Sequence, residues 1–173
     1  MEIVPDPIPQ QILTSVRNAL ASATVQGVPI FVGPIGLVDD VESFVNVADV
    51  LAGPAPDKAQ AGVVSADVDN RPGTTSSENR LYRLPIDVVI RFALMRGPMQ
   101  DEAAAVVRAK YFGDVVRQCL LADPSRGGKC GLVQWDGRII NGTDTSGSVR
   151  MIGGPPNQTF YTVIVPAECA WYD

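Results

Sequence analysis

The stretch Leu81-Tyr82-Arg83-Leu84-Pro85-Ile86-Asp87-Val88-Val89-Ile90-Arg91-Phe92-Ala93-Leu94 decides how this chain is read. Every second residue is apolar: Tyr82, Leu84, Ile86, Val88, Ile90, Phe92 and Leu94. Between them stand Arg83, Pro85, Asp87, Val89, Arg91 and Ala93. Successive side chains of a strand point to opposite faces, so this pattern predicts one long β-strand with a core face and a face turned to water or a partner. Strands commonly run to about five or six residues. The excess length here carries the expectation that part of the strand projects beyond the domain.

Downstream, Gly97-Pro98 breaks the strand, and Asp101-Glu102 opens a helix with carboxylates at the positive end of its dipole. Ala104, Val107, Tyr111, Phe112, Val115, Cys119 and Leu120 predict its apolar stripe. Asp123-Pro124-Ser125-Arg126-Gly127-Gly128 ends it after Leu121. Asp136-Gly137 between Leu132–Trp135 and Arg138–Ile140 is a two-residue hairpin signal. A Gly/Ser/Thr-rich loop is expected over 141–158. A last strand follows over Phe160–Trp171, with Val163, Val165, Ala167, Cys169 and Trp171 on one face.

Upstream, Pro5, Pro7 and Pro9 punctuate an extended lead-in. Ile12, Val16, Ala19, Leu20 and Ala23 then predict an amphipathic helix over 9–24, closed by Gly27. A short strand is expected at Val28–Val32 and another at Asn46–Leu51, with one helical turn between them. Gly, Pro, Ser and Thr dominate 52–80, which reads as an exposed arm or β-hairpin excursion with a weak strand at Gly62–Val68. The order lacks a regular βαβ rhythm. It predicts an α+β fold: a mostly antiparallel sheet with two helices packed on one face, plus extended arms, in a single domain over 1–173.

Of the 173 residues 46% are hydrophobic and 19% charged, enough apolar mass for a core and too much for global disorder. The net charge of -5 and the lack of any dense Lys/Arg run argue against a chain that grips nucleic acid. The start, MEIVPDPIPQQ, has no secretory pattern, and no apolar run is long enough to span a bilayer, so a cytosolic chain without membrane contact is expected.

Histidine is absent, which removes Ser-His and Cys-His nucleophile pairs. Cys119, Cys130 and Cys169 read as buried small hydrophobes in a reducing compartment, with a Cys119–Cys130 disulfide left open. Asp39-Asp40 reads as a solvated turn. Asp67-Val68-Asp69-Asn70 matches the start of a calcium loop but lacks its glycine and distal glutamate. No catalytic residue, metal site or cofactor is expected. A hydrolase using Asp87, Asp101 or Asp136 is the competing reading, with Asp87 its best candidate between Arg83 and Arg91.

The element order resembles that of the tail-terminator family of long-tailed phages, the lambda type. The resemblance lies in an opening helix like 8–23, a short strand with an aromatic at Ile30-Phe31-Val32, the alternating strand Tyr82–Phe92, the helix after it, and a last strand ending in Trp171-Tyr172-Asp173. It implies a non-enzymatic virion protein of the tail or neck, assembled in the host cytoplasm. The implied assembly is a hexameric ring that stops the tail tube and meets the head–tail connector or stopper, with DNA passing through the lumen. Other neck, head-completion, tail-tube or baseplate subunits are the alternative. The expected interface residues are Arg83, Asp87 and Arg91 on the outer face of the long strand, Trp135 and Arg138 at the hairpin, and Trp171 and Tyr172 at the end.

Overall fold

The computed structural model describes residues 7–44, 59–65, 67–72, 80–93, 102–135, 138–145, 147–152 and 160–172; the side chains of 69–72, 80, 102, 132–141, 152 and 160 lie outside that description. The first helix, α1 (Ile8–Ala21), begins where Pro7 and Pro9 supply a φ suited to a first turn. It buries Ile12, Leu13, Val16 and Leu20. Ser22 ends it, three residues short of the sequence expectation. Two short strands, β1 (Thr24–Val25) and β2 (Val28–Pro29), then form a hairpin. Gln26 and Gly27 at its tip both have positive φ, 50° and 78°. That is the backbone of a tight primed hairpin turn, so Gly27 turns a hairpin instead of closing the helix. The strand expected at Val28–Val32 is correspondingly cut short. Among the described residues, the remainder of that stretch bridges onward at Phe31, in parallel to Ala59.

The main sheet is built from β3 (Gly36–Val38), β4 (Ala59–Ser65), β5 (Asp69–Pro72) and the long strand β6 (Arg80–Ala93). After helix α2 (Glu102–Leu121) and a separate hairpin of β7 (Leu132–Trp135) and β8 (Arg138–Asn141), the sheet is completed by β9 (Thr143–Asp144), β10 (Arg150–Ile152) and β11 (Phe160–Tyr172). Its order is β10-β11-β6-β4-β3, with β5 also on β6 and β9 also on β11. Every pairing in it is antiparallel except β3 with β4. The fold is α+β and dominated by the sheet.

The long strand does not project. β11 pairs with it from Leu81 to Ala93, while β4 and β5 cover its other edge from Phe92 to Ile86 and from Arg83 to Arg80. Its length is used by being the centre of the sheet, where ladders along both edges satisfy most of its backbone N–H and C=O groups. Residues 59–65, expected within an exposed arm, are the buried strand β4. The sequence signal was weak because Ala59, Gln60, Ala61 and Gly62 lack the usual strand-forming side chains. The strand expected at 46–51 and the rest of the expected arm (52–58, 66 and 73–79) lie outside the described residues. The expected loop over 141–158 contains β9 and β10, both on β11. Arg117 on α2 ties this segment down by donating to the carbonyls of Thr145 at 3.1 Å and Gly147 at 2.9 Å.

Both helices pack on the face of β6 that carries Leu84, Ile86, Val88, Ile90 and Phe92, against Val163, Val165, Ala167, Cys169 and Trp171 of β11. Phe112 of α2 is the centre of an aromatic cluster, 5.3 Å from Phe92 and 6.4 Å from Phe31 between ring centroids. Burying such a ring contributes about 1.5–3 kcal/mol. The α2 stripe is rotated from the expected one. Ala105, Ala109, Phe112, Val116 and Leu120 are buried, while Val107 is 68% exposed and Tyr111 38%. Alanines and valines on adjacent positions leave the helix phase open in the sequence; Phe112, seated between Phe92 and Phe31, settles it.

The opposite face of the sheet is covered in part by a helical turn at 41–44. Its Phe44 packs on Val89, with Val38, Val41 and Val64 around them. Asp40 caps the turn, its Oδ1 accepting from the Ser43 amide at 2.6 Å.

Candidate interface surfaces

The outer face of β6 carries charge, as its alternation requires. Arg83 reaches across to Glu168 on β11, with Nη2 2.5 Å from Oε2, and both side chains are about four-fifths buried. Asp87 lies 4.0 Å from Arg150 of β10. Register explains the grouping: Glu168 stands opposite both Pro85 and Asp144, and Pro166 opposite Asp87. Together they line an open hollow of about 230 Å³ holding Asp87, Asp144 and Glu168. Two of these carboxylates already face arginines. Among the described residues no group of three or more His, Cys, Asp or Glu side chains is disposed to hold a metal ion.

The expected interface residues divide. Arg83, Asp87 and Tyr172 reach the surface, Tyr172 being 44% exposed. Arg91 does not: it is 5% exposed, in register with buried Gln60. Trp171 is 7% exposed and stacks on Tyr82, centroids 5.5 Å apart and planes 11° apart, so it packs the core and offers no outer surface. Trp135 and Arg138 stand opposite each other at the end of the β7–β8 hairpin, with two residues between them as the turn signal requires; their side chains lie outside the described set.

The sequence reading missed a second surface. Of the expected buried stripe of α2, Phe112 and Leu120 are buried, whereas Ala104, Val107 and Tyr111 form an exposed apolar line on its outer side. The Arg108 guanidinium lies 5.1 Å from the Tyr111 ring centroid and 5.2 Å from that of Phe112, holding a cation beside this line. Val106 flanks it, 39% exposed, at the rim of an open groove of about 450 Å³ that runs past Lys110, Asp114 and Arg117 to Val149 and Met151. The signal was present as two apolar stripes on one helix, a pattern that a single core contact cannot satisfy.

The cysteines are all free thiols. Cys119 is half-buried, and desolvation pushes its pKa up. The Cys119–Cys130 link left open by the sequence is not made. Cys130 instead hydrogen bonds Cys169, and that contact together with burial raises the Cys130 pKa. Thr143 Oγ1 lies 3.5 Å from the Cys169 sulfur. Both thiols pack as small core groups.

Among the described residues no helix is long and apolar enough to cross a membrane. Compared with known proteins, the chain matches no family model and no curated sequence.

Proposed function

We propose that this chain is a structural assembly subunit, a virion protein of the phage tail-terminator kind that forms a hexameric ring, ends the tail tube and meets the head–tail connector, with DNA passing through its lumen. The observation that carries the assembly reading is the exposed apolar line Ala104, Val107 and Tyr111 on a helix whose opposite side is already fully packed. A helix apolar on two sides is expected to have two partners, and only one of them lies among the described residues of this chain. The tail-terminator reading adds to this the element order: an opening helix, a long strand followed by a helix, and a long terminal strand.

The test is mass by light scattering on the purified chain, with negative-stain images of the same fraction. A ring of six copies of 18.4 kDa with a duplex-sized hole supports the terminator reading. A trimer, a dodecamer or an open tube moves the chain to another neck, tube or baseplate role. A monomer at high concentration that also ignores purified tail tubes overturns the assembly reading.

A further inference from the structure

The two faces of the sheet differ in charge. On the helix side, among the described side chains of the two helices, Arg17, Arg108, Lys110 and Arg117 stand against Asp114. The other side carries the turn Asp39-Asp40-Val41-Glu42, whose three carboxylates are exposed, and beyond it Asp87, Asp144 and Glu168 with Arg83, Arg91 and Arg150. The packing fixes the sidedness. Phe112 and Ala109 of α2 pack with the even-numbered residues of β6, whereas Phe44 and Val41 pack with Val89.

The two surfaces also match in kind. Val107 and Tyr111 are apolar and lie next to Arg108 and Lys110. Val38 and Val41 are half-buried, apolar, and lie next to Asp39, Asp40 and Glu42. Each presents an apolar centre with a charged rim, and the rims have opposite sign. Such a pairing aligns partners electrostatically and excludes water from the centre.

We infer that the occupant of the outer face of α2 is a second copy of this chain, docking through its acidic 39–42 turn. The inference rests on the assembly reading and names the contact by which it proceeds. Because the two patches lie on opposite faces of one subunit, the contact is head-to-tail, and repeating it gives a closed ring or an open filament. In any unclosed oligomer it leaves one α2 face free at one end and one acidic turn free at the other.

The experiment follows association of the full chain by sedimentation velocity over a range of concentrations, with circular dichroism to check folding. Val107→Asp and Asp39→Lys each alter one patch at exposed positions that make no core contact; Val107→Ser and Lys110→Glu serve as milder partners to the first. Each single change is expected to weaken association by roughly tenfold or more, as is raising salt. Mixing Val107→Asp with Asp39→Lys is the sharper arm: each retains the patch the other lacks, so the mixture forms a one-to-one dimer that stops there. Combining Lys110→Glu with Asp39→Lys restores self-association. If the variants associate as tightly as the parent, the contact is wrong while the assembly reading stands. If the parent never associates, alone or with purified tail tubes, the contact and the assembly reading fall together; if it joins only to the tubes, the contact is wrong while the assembly reading stands.

Discussion

The ring of Phe44 lies so close over Gly62 that a Cβ on Gly62 would stand 2.5 Å from Cδ2 of that ring. The contact joins two parts of the chain that the sequence reading kept apart, a turn after β3 and a strand in the supposed arm. Gly62 sits in β4 opposite Val89, and its missing side chain is the space that the ring fills. Gly62→Ala is therefore expected to displace Phe44 and destabilise the fold by roughly 1–3 kcal/mol, the usual cost of overpacking. Urea unfolding measures it; an unchanged midpoint would show that Phe44 does not hold this position.

Arg83 and Glu168 bridge the two longest strands near their paired ends. With most of each side chain buried, removing one partner leaves the other charge poorly solvated. Arg83→Met and Glu168→Gln are each expected to cost about 1–3 kcal/mol. The double variant is expected to cost less than their sum, with a coupling of roughly 0.5–3 kcal/mol in a thermodynamic cycle. Additive single effects would mean that the pair does not interact in solution.

Arg117→Ala removes two charge-assisted bonds that hold 145–147 to α2. The expected loss is about 1–3 kcal/mol, with faster amide exchange confined to β9 and β10. Arg117→Lys recovers little, because a single ammonium does not reproduce the guanidinium fork. Exchange that rises evenly across the sheet would place the role of Arg117 elsewhere.

Two carboxylates are held below their ordinary pKa. The Ser43 amide and hydroxyl do this for Asp40; the Ser125 hydroxyl and then the Gly127 amide do it for Asp123. A carboxylate with a lowered folded-state pKa contributes its stability above the ordinary value of 3.8, and that contribution is lost as pH falls through the lower folded value. Both turns are thus expected to stay intact at pH 4 and to loosen only below 3.8. Carboxyl titration by NMR checks this; midpoints at or above 3.8 for either residue would remove the capping role.

The sequence by itself determined the elements whose periodicity is strong. The alternation of Tyr82–Phe92 and of Val163–Trp171 specified two long strands and their inner faces, because a period of two leaves one side for the core. Asp136-Gly137 specified a hairpin, and Ile12, Val16 and Leu20 specified the buried side of α1. Tertiary structure decided what local pattern leaves degenerate. Ala59–Ser65 became an interior strand because Ile30, Val32 and β3 on one side and β6 on the other supply its hydrogen bonds. The phase of α2 was set by Phe112 meeting Phe92, which turned Val107 and Tyr111 outward. Arg91 and Trp171 were buried by partners distant in sequence, so no local reading could separate them from exposed Tyr172. Periodicity specifies which residues share a face; only packing specifies which face is covered, and the α2 face left exposed among the described residues is the one we propose for a partner.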